Sequence, residues 1–401
     1  MRGNARQQHA TAALSRRRRA AHESPLTTHH SPAWLRRFRT ALSRWYARHA
    51  RDLPWRQTRD PYRVWISEIM LQQTTVAAVV PYYDRFLAKF PTVERLAAAA
   101  EQDVLKLWEG LGYYSRARNL HAAARQIVSE HEGEFPAEVE GLLSLPGVGR
   151  YTAGAIASFA FDRRAPIVEA NTLRLYSRLL GYRGDPRSAE GQELLWDFAE
   201  RILPRRAPGR FNQALMELGA TICTPADPAC ESCPVRMCCR ALAIGAQAEI
   251  PQPRPRPDVT HVVEACVAVR NRGRYLLRRR GESERWAGLW DFPRVELNGH
   301  ATAAEYAARN SEITPEMQRH LGQTVRSLTG IDSEVDRLLT EIRHSVTRFR
   351  IRLLCFEAVH RGGRLSGQAE SLRWVRPDEL EHVPLSVSGR KLARLLAGRR
   401  D

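Results

Sequence analysis

Apolar side chains recur every three or four positions through most of the first 222 residues. In Pro32–Ala50 they are Trp34, Leu35, Phe38, Leu42, Trp45 and Tyr46, the stripe that one buried helix face requires. The same period predicts helices over Tyr62–Val80, Val104–Leu111, Arg116–Val128, Thr152–Phe161, Thr172–Leu180, Leu194–Leu203 and Asn212–Ile222. Turn residues interrupt it at Arg59-Asp60-Pro61, Pro146-Gly147-Val148-Gly149 and Gly184-Asp185-Pro186. Residues 32–222 are therefore read as an all-α domain. A cysteine-rich loop, 223–242, follows. Within 243–260 the alternate prolines of Ile250-Pro251-Gln252-Pro253-Arg254-Pro255-Arg256-Pro257 forbid helix and favour a stiff extended linker. Beyond it the pattern changes: Val262–Val269, Tyr275–Leu277 and Ile342–Val359 are rich in β-branched or aromatic residues, with helical stretches at Ala303–Asn310 and Pro315–Leu328 between them. Residues 261–401 are expected to form an α+β domain, and no solenoid-type repeat is present.

The length of 401 residues fits such a multidomain chain, each part long enough to bury a core. Lys+Arg 62 against Asp+Glu 44 leaves a net charge of +18, and the only lysines are Lys89, Lys106 and Lys391. Codon bias is one source of that arginine preference; the net charge itself points to a polyanionic partner, whose phosphates the planar guanidinium fork grips bidentately. Residues 1–31, with six arginines before the first acid, Glu23, read as a disordered basic tail, an organellar transit peptide being the alternative. No apolar run approaches the roughly 20 residues a membrane span needs, which excludes a spanning protein. Five of the seven cysteines fall between Cys223 and Cys239, a pattern of metal binding in a reducing compartment rather than of a secreted disulfide framework. A cytoplasmic, nucleoid-associated monomer is the expectation.

Two motifs carry candidate chemistry. Cys223, Cys230, Cys233 and Cys239 place four thiols within seventeen residues, suited on spacing alone to structural zinc or to an iron–sulfur cluster alike. Cys238 competes with Cys239 as a ligand or is an ordinary buried thiol. In Leu145-Pro146-Gly147-Val148-Gly149-Arg150-Tyr151-Thr152-Ala153-Gly154-Ala155 two glycines permit a tight hairpin whose following helix offers free N–H groups to a DNA phosphate at Gly147, Gly149 and Arg150. A plain helix–turn–helix corner is the simpler alternative.

These two motifs, together with Trp65-Ile66-Ser67-Glu68-Ile69-Met70-Leu71-Gln72-Gln73-Thr74, closely resemble the helix-hairpin-helix DNA glycosylase superfamily, and within it the adenine DNA glycosylases of the MutY type. The resemblance is dense over residues 32–242. It implies a [4Fe–4S] cluster on Cys223, Cys230, Cys233 and Cys239, and duplex DNA carrying A:8-oxoguanine or A:G mismatches as partner.

Base excision needs an acid for the departing base and an anion for the cationic sugar. Glu68 sits among Trp65, Ile66, Ile69, Met70 and Leu71, where desolvation raises a carboxyl pKa; by resemblance it protonates adenine, whereas its bland alternative is a surface glutamate. The stretch Ala165–Thr172 departs from the family, with Glu169 where Asp is usual and Ala170 where Gly is usual; Asn171 is retained. Glu169 is expected to stabilise the sugar cation. Tyr151 stands where endonuclease III-type enzymes carry the lysine that attacks the sugar, and tyrosine forms no imine, so release of the base by water, without strand cleavage, is expected. A lyase of endonuclease III type and a catalytically silent DNA-binding protein are the rivals.

By resemblance Arg51, Leu53, Trp55 and Arg56 line an adenine pocket with Leu71 and Gln213. Gln73, Thr74 and Leu111 border the opened duplex, and Tyr113 wedges between bases, replacing lost stacking. Tyr275–Arg278 and Trp286–Pro293 resemble a Nudix-like recognition domain. The carboxylate helix of a working Nudix hydrolase is absent, Ala303–Arg309 holding only Glu305. Thr347, in His344-Ser345-Val346-Thr347-Arg348-Phe349, takes the place of the family's serine that contacts 8-oxoguanine, with Arg348 in place of its histidine.

Overall fold

The computed structural model describes residues 31–253, 258–297, 313–366 and 371–398. The basic tail, except Ser31, and the helix expected at Ala303–Asn310 lie outside them. In chain order the longer helices are α1 (Pro32–His49), α2 (Pro61–Leu71), α3 (Val76–Lys89), α4 (Val93–Ala97), α5 (Glu101–Trp108), α6 (Ser115–Glu130), α7 (Val139–Leu143), α8 (Arg150–Phe159), α9 (Ala170–Leu180), α10 (Ala189–Ile202) and α11 (Pro208–Thr221). Next come strands β1 (Thr260–Asn271), β2 (Arg274–Arg279), β3 (Trp290–Asp291) and β4 (Arg294–Glu296), then helix α12 (Pro315–Thr329), strands β5 (Ile331–Val346), β6 (Phe349–Gly363) and β7 (Leu372–Val375), and helix α13 (Val387–Ala397).

Two expected elements are divided. The single helix predicted over Tyr62–Val80 is two helices, α2 and α3, because the chain turns at Gln72–Thr75 with Gln73 at φ 58°. The run Ile342–Val359 is a hairpin of β5 and β6, closed by Thr347 and Arg348 with Thr347 at φ 51°. Neither turn contains glycine or proline, so the sequence gives no punctuation at either place.

Packing separates the chain into two compact units, one of residues up to 69 plus 134–254 and one of 70–133 plus 255–401. The expected boundaries, with 32–222 as one domain, differ from this grouping, and the contacts inside the second unit explain why. Arg390 grips Glu109 with Nε–Oε1 2.6 Å and Nη2–Oε2 2.9 Å, Arg279 pairs with Glu101 at 2.8 Å, and Gln102 and Arg118 donate to the carbonyls of Gly288 and Ala287. Helices α5 and α6 are thereby fastened to β2, to the loop after it and to α13.

In the first unit α1 lays Phe38, Leu42 and Tyr46 against Leu175, Tyr176, Phe198 and Leu215 of α9, α10 and α11, with Trp34, Leu35 and Trp45 at the margin. Ser31 caps α1, accepting from the Trp34 N–H at 3.2 Å. In the second unit the sheet runs β3-β2-β1-β6-β5, with β4 also on β1 and β7 on β2; β1 and β6 are parallel and β5 and β6 antiparallel. Alternation along β1 serves both faces. Ala265, Val267 and Val269 pack under Met317, Leu321 and Val325 of α12, whereas Cys266 and Ala268 face Leu392 and Leu396 of α13. No described helix is long and apolar enough to cross a membrane.

Candidate active site

Helix α2 carries Glu68 inward. Trp65 and Ile66 beside it are fully buried, and Glu68 itself is 3% exposed, which excludes the surface-glutamate alternative. Tyr151, in the first turn of α8 behind the hairpin, donates its hydroxyl to Glu68 Oε2 at 2.6 Å and lies 3.8 Å from the sulfur of Met216. Burial pushes the Glu68 carboxyl up to about 7; the Tyr151 hydrogen bond opposes that rise, the nearby charge of Glu169 adds to it, and Arg56 opposes it. Burial also drives the Tyr151 phenol well above its ordinary value, with the charges of Glu68 and Glu169 acting in the same direction, so it stays a donor. The two carboxylates thus share one neighbourhood, Glu68 buried and Glu169 half-buried.

Glu169 is the N-cap of α9. Its Oε2 accepts from the Asn171 N–H and its Oε1 from the Thr172 N–H, both at 2.8 Å, while Thr172 Oγ1 accepts from the Glu169 N–H at 2.8 Å. This reciprocal capping box absorbs the extra methylene that separates Glu from Asp, because the longer side chain folds back onto the helix end. Burial raises the Glu169 carboxyl, and the two backbone N–H bonds and Arg174 counter it.

The same helix ties this end to the cysteine loop. Arg174 Nη2 donates to Asn171 Oδ1 at 2.9 Å and to the Gly219 carbonyl at 2.7 Å, while its Nε reaches the Cys223 carbonyl at 2.7 Å. One turn on, Arg178 Nη1 donates to Cys223 Sγ at 3.3 Å and to the Thr224 carbonyl at 2.7 Å. Cys223, Cys230, Cys233 and Cys239 line one cavity with Leu175 and Val235. Burial, with the neighbouring thiols adding to it, raises Cys239 and pushes Cys233 up to about 12. Among the described residues no three His, Cys, Asp or Glu side chains converge closely enough to hold a single metal ion. Cys238 packs into the helical core instead of lining that cavity.

Glu217, on α11 one turn past Gln213, was not foreseen as a site residue. It is fully buried and accepts from Arg51 Nε at 2.7 Å, Arg51 Nη2 at 2.8 Å and Arg56 Nη2 at 2.7 Å. Burial opposes its ionisation, yet the hydrogen bonds from Arg51 and Arg56 hold its carboxyl at about 2. Leu53 and Trp55 are buried between the two arginines in sequence, and Gln213 Oε1 accepts from Tyr46 OH at 3.0 Å. The only trace in the sequence is spacing: Glu217 lies four residues from Gln213, on the same helix face.

The hairpin has Gly147 at φ 75° and Gly149 as N-cap of α8, with open space where a Gly149 side chain would stand. Arg150 is exposed, its guanidinium stacked 3.8 Å over Trp196. In the second unit Leu71 and Thr74 are half-buried, Leu111 is buried, Gln73 is exposed and Tyr113 is 45% exposed at φ 49°. Thr347, at the hairpin tip, is exposed and its hydroxyl donates to the Val346 carbonyl at 2.7 Å.

Gly154 of α8 fixes the approach of the segment leading to Glu169. A Cβ there would lie 2.3 Å from the Pro166 carbonyl oxygen, a backbone atom with no room to yield. Gly154→Ala is expected to lower stability by about 1–3 kcal/mol, as overpacking does, and to displace Glu169; a lower thermal midpoint together with faster amide exchange at Asn171 and Thr172, whose N–H groups Glu169 holds, measures both.

The helical site pairs a buried acid with a second carboxylate behind a glycine hairpin, and its likeness to known families gives its class. The family model of the HhH-GPD superfamily of base excision DNA repair proteins matches residues 66–201, and that of the NUDIX domain matches 265–395. Adenine DNA glycosylase of Homo sapiens is 34% identical over 90% of this chain and 74% of its own length, and that of Buchnera aphidicola from Acyrthosiphon pisum is 36% identical over 65% and 74%. The Rattus norvegicus enzyme is 42% identical over 68% of this chain, which spans about half, 53%, of that relative. The chain belongs to the adenine DNA glycosylase family.

Proposed function

We propose that this protein is a monofunctional DNA glycosylase that hydrolyses the bond between adenine and deoxyribose, acting on adenine opposite 8-oxoguanine or guanine in duplex DNA. The observation that carries this reading is Glu68, buried beside Tyr151 and Glu169 and poised near pH 7. Protonated, it donates to the departing base; ionised afterwards, it takes a proton from water. Glu169, held by its capping box, opposes the positive charge that develops on the sugar. Asn171, fixed by Arg174, borders the same helix end. No lysine occurs between Lys106 and Lys391, so no amine of that stretch, hairpin included, can form a Schiff base.

The remaining roles are those that the family resemblance suggests. Arg51 and Arg56, held by Glu217, bind the extruded adenine with Leu53, Trp55 and Gln213, and Leu71 is assigned to the same role by resemblance. Gln73, Thr74, Leu111 and Tyr113 probe the duplex, and Thr347 the opposite base, while Gly147, Gly149 and Arg150 receive a phosphate. Cys223, Cys230, Cys233 and Cys239 would hold a [4Fe–4S] cluster. The four thiols line one cavity, as a group held by four thiolates requires, and the family resemblance favours the cluster over zinc. Bound there, the cluster supplies a structural cross-link of the loop. The protein is proposed to act as a monomer beside DNA in the cytoplasm.

The test is release of adenine from A:8-oxoguanine, A:G, A:C and A:T duplexes, with and without alkali. Strand breaks are expected only after alkali, with no adduct trapped by borohydride, and the rate is expected to fall as pH rises through about 7, where Glu68 loses its proton. Breaks without alkali would favour the lyase, and no release from any duplex the silent binder.

A further inference from the structure

Arg116 lies in the first turn of α6 and is 8% exposed. Its guanidinium joins two separate loops. Nη1 donates to the carbonyls of Met70 at 3.0 Å and Gln72 at 2.6 Å. Nη2 donates to the carbonyls of Leu111 at 3.2 Å and Gly112 at 3.0 Å, and reaches Thr74 Oγ1 at 3.4 Å. The rings of Trp108 and Tyr113 face the same cation at 5.4 and 5.5 Å.

Both loops are held in uncommon conformations. Gln73 at φ 58° and Tyr113 at φ 49° occupy the left-handed region, which side chains other than glycine disfavour and keep only where the surroundings over-determine it. Both side chains are exposed, so neither is held by its own burial. The carbonyls that flank them are held instead: Gln72 on one side, Leu111 and Gly112 on the other, all by one planar fork. Lysine cannot reproduce this, since its ammonium has three donors at one point and no second branch. Burial pulls the Arg116 guanidinium down to about 10, which still leaves it charged at neutral pH.

We propose that Arg116 is a positioning residue that locks the Gln73–Thr74 loop and the Tyr113 loop into one conformational unit, so that the two probes enter the duplex together and extrusion of the base is cooperative. The role of the loops as probes rests on the function proposed above. The locking itself does not.

The experiment compares full-length wild type, Arg116→Lys, Tyr113→Ala and the double variant, with three readouts: amide hydrogen exchange without DNA, fluorescence of 2-aminopurine at the target position, and single-turnover adenine release. In Arg116→Lys, exchange is expected to rise at least tenfold in residues 72–74 and 111–113 together. The extrusion signal is lost, and release slows 10–100-fold. The double variant is expected to be no more than about threefold slower than the slower single variant, because both changes disable one device. Exchange that rises in only one loop, an extrusion signal equal to wild type, or losses that multiply would overturn the proposal. If Arg116→Lys does not fold, Thr74→Val, which deletes one partner, is expected to raise exchange across the clamp at 111–113; unchanged exchange there also overturns it. A wild type that releases no adenine while Arg116→Lys loosens both loops sinks the functional reading alone.

Discussion

Glu68→Gln is expected to slow adenine release by roughly two to four orders of magnitude, the range for removal of a positioned general acid, while leaving affinity for the mismatched duplex within a few-fold. Its effect on stability runs the other way. The native state holds the Glu68 proton up to about 7, against an ordinary value of 4.5. Between these pH values the folded protein therefore binds more protons than the unfolded chain, and stability falls as pH rises. Above pH 7 the buried carboxylate costs on the order of 3 kcal/mol relative to a neutral group. Glutamine mimics the neutral form, so Glu68→Gln is expected to be more stable than wild type at pH 8 and no more stable at pH 4.5. Thermal or urea unfolding of both proteins at the two pH values measures it. An equal difference at both would show that Glu68 is not held neutral by burial.

Glu217→Gln should have the largest destabilising effect of any change near the site. The carboxylate is fully buried and compensates Arg51 and Arg56, whose side chains are 40% and 14% exposed. Losing one partner of such a group costs about 3–5 kcal/mol when the remaining charges are buried; the exposure of Arg51 reduces this to about 2–3 kcal/mol. The thermal midpoint should fall by roughly 5–10 °C at pH 7. Because the Glu217 carboxyl lies at about 2, the stability it gives is present above pH 4.5 and disappears as pH falls toward 2, so the gap between variant and wild type narrows in acid. Adenine release should fall as well, since Glu217 anchors Arg51 and Arg56 on either side of Leu53 and Trp55.

How much of this was legible in the sequence depends on whether a residue's neighbours betray its surroundings. Glu68 was legible because Trp65, Ile66, Ile69 and Met70 flank it and must be buried, which carries the carboxyl inward with them. Glu169 was legible as a charge but not as a cap, since glutamate is not among the side chains that favour the N-cap position. The divided helix at Gln72–Thr75 and the turn at Thr347–Arg348 were not legible. Both use a left-handed residue other than glycine: at Gln72–Thr75 the neighbouring carbonyls are held by Arg116, and at Thr347 the turn is closed by the pairing of β5 with β6. Glu217 and Arg116 look like any charged residue on a helix surface. Only the opposite ends of their hydrogen bonds, 166 and 46 residues away in the chain, distinguish them.

The grip of Arg390 on Glu109 has a consequence for how such enzymes can be rebuilt. Glu109 accepts both branches of the guanidinium and also the Leu385 N–H, and the loop bearing Tyr113 begins with the next residue. A foreign C-terminal module spliced on at the proline-rich connection would bring no counterpart for Arg390, leaving the carboxylate at the root of the Tyr113 loop with Lys106 alone, at 3.1 Å, in place of the two-branched grip. Modular exchange in this architecture therefore has to carry position 390 along with the sheet, or neutralise position 109 in the recipient.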